Sequence, residues 1–448
     1  MRGILKLAAL VLLLVPPAAS GQTTAGAPRP NVLFIAVDDL NTDVGTYGRT
    51  MVQTPNLDRL AARGRRFDRA YAQYPLCNPS RTSVLSGRLP EDTGVTTNNT
   101  DPRVAMPGAD FLPQHFREHG YHTAYVGKIF HKGFEDEKYS WSEALTVPDN
   151  VVDDERGVTE DSTGRNATDY PDWIHFDGAA ARSAADYLAR PHATPFFLAV
   201  GFHKPHMPSV CPKTYWDLYD IARIRLPQVP SGGLENTPEE ALHASMNVPP
   251  STNIDRRESI LAYRACTSFM DAQLGVVLDA LDATGLRDNT IVVLWSDHGY
   301  HLDDHRHLWG KGTLFDRATR VPLVVAGPPV RAKGTATGSL VELMDIYPTL
   351  TELCGLPTPP KCQGKSLAPI LKDPAASVND YAYTVARGGD ARCVNTKRWR
   401  YTEWGGPKVA ELYNLEKDPG EYYNLANDPK LASVVATMQA TLKRAGAR

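Results

Sequence analysis

Four short, mainly apolar runs constrain the fold of this chain most, because polar residues closely follow each of them. The runs are residues 31–37, 121–126, 195–200 and 290–295. The first polar residues with ionisable side chains after the runs are Asp38, Lys128, His203 and Asp297. Each run is long enough for a strand buried on both faces, and predicted helices separate the runs. Strands that alternate with helices are typical of a mostly parallel sheet. The sequence therefore predicts an α/β fold.

The carboxyl ends of parallel strands meet at one edge of the sheet, where ligands bind in this class of fold. The first run ends in Asp38-Asp39 and the fourth in Asp297-His298. Adjacent carboxylates at a strand end are costly unless a cation compensates them. A solvated acidic turn is the alternative for the first pair alone, but the four equivalent positions together predict a site.

The stretch Cys77-Asn-Pro-Ser-Arg81 is predicted to begin a short helix. Pro79 is tolerated in a first helical turn, and Gly87 can end the helix. Free backbone N–H groups at the helix start and the guanidinium of Arg81 would suit phosphate or sulfate. The alternative is a buried or disulfide-bonded Cys77 in an ordinary turn.

The composition is that of a globular protein. The chain has 448 residues, enough for one large domain with a smaller appendage. We place a catalytic domain at residues 29–374 and a C-terminal subdomain of strands and one helix at residues 375–448. The formal charge of −3 gives no indication of a nucleic-acid partner, so local cations must attract any anionic substrate.

Residues 1–20 have the pattern of a secretory signal peptide. Arg2 and Lys6 precede an apolar run, and small residues follow it at the cleavage positions. The run is too short to span a bilayer. No cysteine stands directly after the predicted cleavage region, where a lipid anchor would be attached. We therefore expect export without a stable membrane anchor, to the periplasm or the medium, or to the lysosome in a eukaryote.

An exported chain with six cysteines is expected to form disulfides. Cys354 and Cys362 are the best candidates for a local pair. If Cys77 is reserved for chemistry, at least one of the remaining five stays unpaired. The other cysteines are Cys211, Cys266 and Cys393.

Several motifs resemble those of one family. Cys-Asn-Pro-Ser-Arg resembles the signature of the type I sulfatases, in which the cysteine is oxidised to Cα-formylglycine. Motifs at residues 31–40, 126–131, 196–206 and 296–316 resemble the iduronate-2-sulfatase branch of that family. The resemblance covers nearly the whole predicted catalytic domain. It implies an alkaline-phosphatase-like fold, with a large, mixed, mostly parallel sheet flanked by helices and a smaller C-terminal α+β subdomain.

The resemblance also implies an activity. We expect an exported sulfatase that hydrolyses sulfate esters of a sulfated carbohydrate, such as the 2-sulfated uronates of glycosaminoglycans. A formylglycine-generating enzyme would be its partner during maturation. The alternatives are a phosphonate or phosphodiester hydrolase of the same superfamily, and a non-catalytic glycan-binding protein in which Cys77 stays a thiol.

A divalent cation is expected at the acidic residues. The carboxylates of Asp38, Asp39 and Asp297 suit Ca²⁺, which we favour over Mg²⁺, and the modified Cys77 and His298 would complete the set. Most sulfatases have asparagine in place of His298, whereas histidine resembles the iduronate-2-sulfatase branch.

A competing hypothesis places a transition metal among the histidines that follow the fourth run. Interleaved Asp and Arg residues, and the lack of helical spacing, argue against it. For the histidines beyond His298 we expect a solvated loop instead. These histidines are His301, His305 and His307.

The resemblance implies a mechanism. Hydrated formylglycine, activated by the metal, attacks the sulfur of the ester, while Arg81, Lys128 and Lys311 hold the sulfate oxygens. His203 or Lys311 protonates the departing sugar oxygen. His131 then takes the proton of the second hydroxyl, so that sulfate is expelled and the aldehyde restored.

Each residue also has a plainer interpretation. Lys128 and Lys311 could each be an exposed surface residue, and His131 and His203 could each be a core histidine with its hydrogen bonds satisfied. Their joint placement after strands favours a site. Two polar segments, residues 144–170 and 226–257, are predicted to be rim loops that shape substrate entry.

Overall fold

The computed structural model describes residues 29–148, 151–152, 164–242 and 252–448. The predicted signal segment, residues 1–20, and parts of both predicted rim loops lie outside these ranges. Within them, no helix combines the length and apolar character that a membrane crossing requires.

The strands and helices of the described ranges are numbered along the chain. The strands are β1 (Asn31–Val37), β2 (Gly64–Tyr71), β3 (His122–Gly127), β4 (Glu143–Ala144), β5 (Arg165–Thr168), β6 (Phe196–Phe202), β7 (Ser209–Pro212), β8 (Thr290–Ser296), β9 (His301–Asp303), β10 (Leu308–Gly310), β11 (Arg320–Val321), β12 (Leu323–Ala326), β13 (Thr335–Glu342), β14 (Ala382–Ala386), β15 (Ala391–Asn395), β16 (Trp399–Trp404) and β17 (Ala410–Asn414). The helices are α1 (Pro55–Arg63), α2 (Cys77–Ser86), α3 (Pro90–Thr93), α4 (Pro102–Ala105), α5 (Leu112–Glu118), α6 (Glu137–Ser140), α7 (Phe176–Leu188), α8 (Lys213–Trp216), α9 (Glu239–Leu242), α10 (Asn253–Ala283), α11 (Asp304–His307), α12 (Asp316–Thr319), α13 (Ile346–Leu353), α14 (Ala368–Lys372) and α15 (Ala432–Ala445).

The main sheet is mixed and mostly parallel. In the part of the chain that the structure describes, its strands lie in the order β11-β2-β12-β8-β1-β6-β3-β4, and β13 also pairs with β2. The four strands predicted from the apolar runs are the neighbours β8, β1, β6 and β3, and they pair in parallel. Strands β11 and β12 run antiparallel to their partners.

The four central strands end at nearly the same level. Val37 pairs with Ser296 on one side and with Phe202 on the other, and Gly127 pairs with Gly201. The residues that follow these strands therefore share one edge of the sheet, as the alternation of apolar runs and helices predicts.

Strand β1 is buried on both faces, which explains its unbroken apolar sequence. Because side chains alternate along a strand, Phe34 points into one core with α2, α5 and α13. Its neighbour Ile35 points into the other core, which α1, α7 and α10 cover. Helices thus flank the sheet on both faces.

Two glycines let β3 and β6 approach closely where both strands end. Gly127 has a φ of +75°, and a Cβ there would lie 2.0 Å from the carbonyl oxygen of Gly201. A Cβ on Gly201 would lie 2.2 Å from the carbonyl oxygen of Lys128. Larger residues would separate these strands at the point where Lys128 leaves the sheet.

The C-terminal part is a small α+β unit, as expected. Strands β14 to β17 form an antiparallel sheet, and α15 packs on it through Met438 and Leu442. The same apolar cluster includes Leu76, which directly precedes α2. The domain boundary between residues 374 and 375 stays a prediction.

Strand β2 was not predicted, because its sequence Gly-Arg-Arg-Phe-Asp-Arg-Ala-Tyr is rich in arginine. Two of the arginines have hydrogen-bond partners: Arg65 donates to the carbonyl oxygen of the distant Arg331 at 2.7 Å, and Arg66 pairs with the neighbouring Asp68 at 2.7 Å. These contacts let a polar sequence occupy a position in the sheet.

The structure does not support the predicted disulfide between Cys354 and Cys362, since both are free thiols. The Cys354 thiol hydrogen bonds with Tyr121, whereas the sulfur of Cys362 lies beside Gly87. The two side chains have different neighbours, so proximity in sequence does not bring these thiols together.

Candidate active site

Helix α2 brings Cys77 to the carboxyl edge of the sheet. The helix begins at Cys77, contains Pro79 in its first turn and ends at Gly87, which has a φ of +67° and whose N–H donates to Ser83. These features match the sequence prediction. All ten residues of the helix are buried, so the start of α2 lies inside the protein against β1 and β8.

Three carboxylates converge around the Cys77 sulfur. Asp38 Oδ1 lies 3.5 Å from Sγ. The backbone N–H of Asp39 donates to Asp297 Oδ1 at 3.2 Å. One ligand atom from each of Asp38, Cys77, Asp297 and His298 lies within 4.8 Å of the others. The structure therefore brings together the five residues predicted to hold a metal.

Three buried cations offset these carboxylates. Arg81 Nε donates to Asp297 Oδ2 at 2.8 Å, and Lys311 Nζ donates to Asp39 Oδ1 at 2.6 Å. Lys128 Nζ donates to the other oxygen of the Asp38 carboxylate. Among the described residues, Arg81 Nη2 has no hydrogen-bond partner. The cations therefore hold the acidic cluster together, and Nη2 of Arg81 is left to donate to an anion.

The shifts in pKa follow from this crowding. Burial raises the pKa of Asp38, but the cation of Lys128, the imidazole of His206 and the cations of Arg81 and Lys311 bring it well below its usual range. Burial raises the pKa of Asp39 above its usual value, and Lys311 offsets this only in part. Burial lowers the pKa of Lys311, but Asp39 and its other anionic neighbours raise it well above the usual value, so this lysine is a cation at neutral pH.

The Cys77 thiol itself is a poor nucleophile. Burial, then the charge of Asp38, raises its pKa to about 12. A thiol reacts as its thiolate, and this one stays protonated at neutral pH. Its sulfur lies 3.2 Å from Lys311 Nζ and 3.3 Å from His298 Nε2. The Sγ atom stands where a formylglycine hydrate would carry its oxygens, so these are the neighbours of that group.

The donor set fits a hard divalent cation. Carboxylate oxygens are the ligands that Ca²⁺ and Mg²⁺ prefer. The charges of Asp38 and Asp297 contribute to the raised pKa of Asp39, and a cation between these groups would relieve that repulsion. His298 lies within the same group, with Nδ1 at 3.3 Å from Asp39 Oδ1.

A second imidazole beside the acidic cluster, besides that of His298, belongs to His206. Its Nε2 lies 4.0 Å from Asp39 Oδ2, and its Nδ1 is bonded to the Met207 carbonyl oxygen at 2.5 Å. His203, which the sequence interpretation named with Lys311 as a candidate proton donor, stacks on the ring of Phe176 at 4.3 Å between centroids. The motif at residues 196–206 contains both histidines, and only the folded loop distinguishes them.

Asp177 at the start of α7 fixes this loop. It accepts the backbone N–H groups of His203 at 2.8 Å and of Lys204 at 2.9 Å. Lys204 Nζ in turn donates to the carbonyl oxygen of Pro208 at 2.5 Å. The segment that carries His206 is therefore held at both ends. No pattern in the sequence marked Asp177 as part of this support.

His131 borders the site. Burial, then the charges of Lys128 and Arg81, lowers its pKa to about 4. The ring is therefore neutral at pH 7. Within the described ranges its buried Nδ1 has no hydrogen-bond partner, so this nitrogen is available to exchange a proton.

The long helix α10 contacts the backbone around Asp39 through the side chain of Tyr263. The hydroxyl of Tyr263 donates to the carbonyl oxygen of Asp39 at 2.8 Å and accepts the N–H of Asn41 at 2.9 Å. Asp39 has a φ of +63°, a conformation that needs such support. Sequence reasoning missed Tyr263, because nothing in its neighbourhood distinguishes it from a core tyrosine.

The histidines that follow His298 do not form one metal cluster with it. His301 and His305 bond to Asp304 at 2.5 and 2.8 Å, and His301 also bonds to Thr313 at 2.6 Å. His301 and His305 are buried, so the expectation of a solvated loop was wrong for these two. It holds for the side chain of His307, which is 56% exposed.

Comparison with known proteins identifies the family. The sequence matches the Sulfatase family over residues 30–356, and the family of the N-sulphoglucosamine sulphohydrolase C-terminal region over residues 304–448. A sulfatase of Formosa agariphila is 34% identical over 453 residues, covering 95% of this chain and 89% of that protein. Iduronate 2-sulfatase of Homo sapiens is 34% identical over 533 residues, covering 95% and 96%.

A solved 2-O GAG sulfatase has the same architecture. Its TM-score is 0.75 at 27% identity, and the alignment covers 93% of this chain and 91% of that one. The fold is thus the alkaline-phosphatase-like one that the motifs implied. With a family match over most of its length, the chain belongs to the sulfatase family of sulfuric ester hydrolases, in its iduronate-2-sulfatase-like branch.

Proposed function

We propose that this protein is an exported, formylglycine-dependent sulfatase that removes 2-O-sulfate from uronate units of a sulfated carbohydrate. The observation that carries the proposal is the convergence of Asp38, Cys77, Asp297 and His298 within 4.8 Å. Two of the relatives named above support the substrate class, since one is an iduronate 2-sulfatase and the other a 2-O GAG sulfatase. The pattern of residues 1–20 supports export.

Two groups would complete the site. Asp38, Asp39, Asp297 and His298 would hold Ca²⁺, which supplies positive charge beside residue 77. Formylglycine at that position supplies, as its hydrate, an oxygen nucleophile in place of a thiol whose pKa of about 12 makes it inert. A formylglycine-generating enzyme is therefore the proposed maturation partner.

The buried cations would bind the sulfate group. Lys128 and Lys311 have a raised pKa because of the carboxylates and the Cys77 group around them, so both are charged at neutral pH. Arg81 presents Nη2, which has no hydrogen-bond partner in the part of the chain that the structure describes. Fixed positive charge in a water-poor site stabilises the charge that moves onto the sulfate oxygens during transfer.

Two histidines would handle protons. His131 is neutral, with a pKa of about 4, and its Nδ1, which has no hydrogen-bond partner among the described residues, can accept the proton whose removal releases sulfate. His206 replaces His203 as the candidate donor to the departing sugar oxygen, because its Nε2 faces the cluster. Burial lowers the pKa of His206 well below its usual value, and an anionic sulfate beside the ring would counter that shift and favour the imidazolium that this role requires.

The proposal is tested with the full-length protein made in a host that converts such cysteines. Peptide mass spectrometry should find formylglycine at residue 77, and the protein should release sulfate from a disaccharide that carries 2-O-sulfate on its uronate. The matched control is Cys77→Ala, which should be inactive. Faster turnover of aryl phosphodiesters than of aryl sulfates would favour the phosphodiesterase alternative. An unmodified, alkylatable Cys77 in protein that binds but does not cleave the glycan would favour the binding protein.

A further inference from the structure

Two cysteines that the catalytic site does not use lie side by side. Cys211 belongs to β7 and Cys266 to α10. Both are free thiols in this structure, like the other four cysteines. Both are completely buried, and together with Ala265 and Phe269 they form a small apolar cluster of their own. The chain thus places two thiols from distant segments against each other beneath the loop that carries His206.

The two thiols are each other's main polar contact. Hydrogen bonding with Cys266 is the first cause that raises the pKa of Cys211 well above its usual value, and burial is the second. The charges of Lys204 and Asp172 also act on this pKa, with opposite sign. Neither thiol belongs to a group of three or more possible metal ligands among the described residues. The main partner of the Cys211 thiol is therefore another thiol.

The other cysteines, all within the described ranges, lack such a neighbour. Cys77 faces the carboxylates of the site. Cys354 bonds to Tyr121, Cys362 to the backbone of Gly364, and Cys393 to groups of the C-terminal sheet. The Cys211 and Cys266 pair is the one in which a thiol is the dominant neighbour of another thiol.

We propose that Cys211 and Cys266 form a structural disulfide in the mature protein, and that this cross-link fastens the His206 loop to α10. The inference rests on the proposed export, because disulfides persist in oxidising compartments. It is distinct from the sulfatase reaction itself, in which neither residue takes part.

The oxidation is a thiol–disulfide exchange. A thiolate of one cysteine attacks the disulfide of an oxidoreductase of the exporting compartment and forms a mixed disulfide, releasing one oxidoreductase thiolate. The thiolate of the second cysteine then attacks the cysteine sulfur of the mixed disulfide. The bond between Cys211 and Cys266 forms, and the second oxidoreductase thiolate leaves. Two electrons pass to the oxidoreductase, its two sulfurs become thiols, and two protons leave the cysteines. Because both sulfurs are buried in the folded protein, this exchange belongs to folding, before α10 covers β7.

The cross-link would connect two supports of the active site. Cys211 follows shortly after Pro208, whose carbonyl oxygen holds Lys204 in the His206 loop. Cys266 lies about one helical turn after Tyr263, which bonds to the backbone at Asp39. A disulfide here joins the element that carries the imidazole to the helix that holds the acidic segment.

The first test is peptide mapping of the full-length protein purified after export. Unfolding in the presence of N-ethylmaleimide, followed by digestion without reductant, should yield a linked pair of peptides that contain Cys211 and Cys266, two hydrogens lighter than their sum. The same digest should contain alkylated Cys354, Cys362 and Cys393. Recovery of Cys211 and Cys266 as alkylated thiols would overturn the inference.

The second test measures thermal stability. A phosphine reductant present during the melt should lower the Tm of the wild-type protein by several degrees. The double variant Cys211→Ala/Cys266→Ala should melt lower than the wild type and should not respond to the reductant. An unchanged Tm of the reduced wild type would contradict a stabilising cross-link. If the double variant does not fold, the wild-type comparison alone decides.

Sulfate release and conversion of Cys77 are measured on the same preparation, so that the two proposals fail separately. A linked peptide in a protein without sulfatase activity would support the disulfide and contradict the proposed function. Activity in a protein with two free thiols would support the function and contradict the disulfide. A protein that stays in the cytosol with both thiols free would contradict both the disulfide and the export on which it rests.

Discussion

Two buried clusters in this protein both contain aspartate and histidine but differ in how these groups are arranged. At the sheet edge, Asp38, Asp39 and Asp297 crowd together, burial raises the pKa of Asp39, and among the described residues one guanidinium nitrogen lacks a hydrogen-bond partner. Around Asp304 a single carboxylate bonds to both His301 and His305. The first arrangement crowds like charges and leaves a donor for a ligand, whereas the second places one carboxylate between two imidazoles. Residue type alone therefore does not separate the two clusters, but the crowding of like charges does.

The largest contrast is expected from matched carboxamide variants. Asp297→Asn should lower kcat/KM for a sulfate ester by about 10³-fold, because it removes one of the preorganised charges at the reacting centre. Asp304→Asn should leave kcat/KM within about threefold of the wild type, since Asp304 bonds to His301 and His305 and is not one of the charges placed at the reacting centre. Steady-state kinetics on both folded variants checks this. Equal losses would contradict the assignment of function to the first cluster.

Metal removal should separate the clusters in a second way. A chelator should abolish most of the activity and lower the Tm of the wild type, because a ligand that binds only the folded state stabilises it. Ca²⁺ should restore both. The Tm of Asp297→Asn should respond much less to chelator than that of Asp304→Asn. The same response in both variants would place the cation elsewhere.

The buried lysines test whether cations at the first cluster act on the substrate. Lys311→Ala should lower kcat/KM by about 10²-fold, the lower range for removal of one stabilising group, because its Nζ lies 3.2 Å from the Cys77 sulfur. The control is Lys213→Ala, which breaks an exposed ion pair with Asp217 and should change neither activity nor stability measurably. A loss below threefold for Lys311→Ala would argue against direct contact with sulfate.

The two histidines of one motif sharpen the comparison further. His206→Ala should lower kcat by at least about 10²-fold, the range for loss of a general acid, and the loss should be smaller for aryl sulfates with good leaving groups. His203→Ala should act mainly on stability, since its ring stacks on Phe176. Measured kcat values for good and poor leaving groups decide. If His203→Ala shows the leaving-group dependence instead, the sequence interpretation was correct and the role of His206 is wrong.

The smallest effect is expected within the second cluster, on stability alone. Asp304→Asn should reduce the free energy of unfolding by about 1–3 kcal/mol, because it weakens two buried hydrogen bonds. Denaturant unfolding at neutral pH measures this. Retained stability combined with lost activity would show that Asp304 belongs to the functional site.

The sequence predicts the central sheet and its polar edge well, because strands buried on both faces have few alternatives. Asn31–Val37 and Thr290–Ser296 are examples in which the apolar run and the strand coincide. Strand β2 escaped prediction because its arginines resemble those of a surface segment. The hydrogen-bond partner of Arg65 lies far along the chain, at the carbonyl oxygen of Arg331, and no local pattern contains it.

The sequence predicted the carboxylates of the site but not the residues that hold the surrounding backbone in place. Asp38 and Asp297 follow apolar strands directly, so their position is a consequence of local sequence. Whether His203 or His206 faces the cluster depends on the path of a loop held by Asp177, and that contact spans two elements. Tyr263 likewise acts through a tertiary contact within an otherwise ordinary helix.

The backbone contact between Gly127 and Gly201 has a consequence for how this enzyme can diverge. Because main chain touches main chain where β3 and β6 end, the origin of the Lys128 side chain is set without any neighbouring side chain as a spacer. A Cβ at either glycine would push the two strands apart here and would move the Lys128 ammonium away from the carboxylate of Asp38. Any descendant of this chain that keeps Lys128 in the site is therefore expected to keep both glycines.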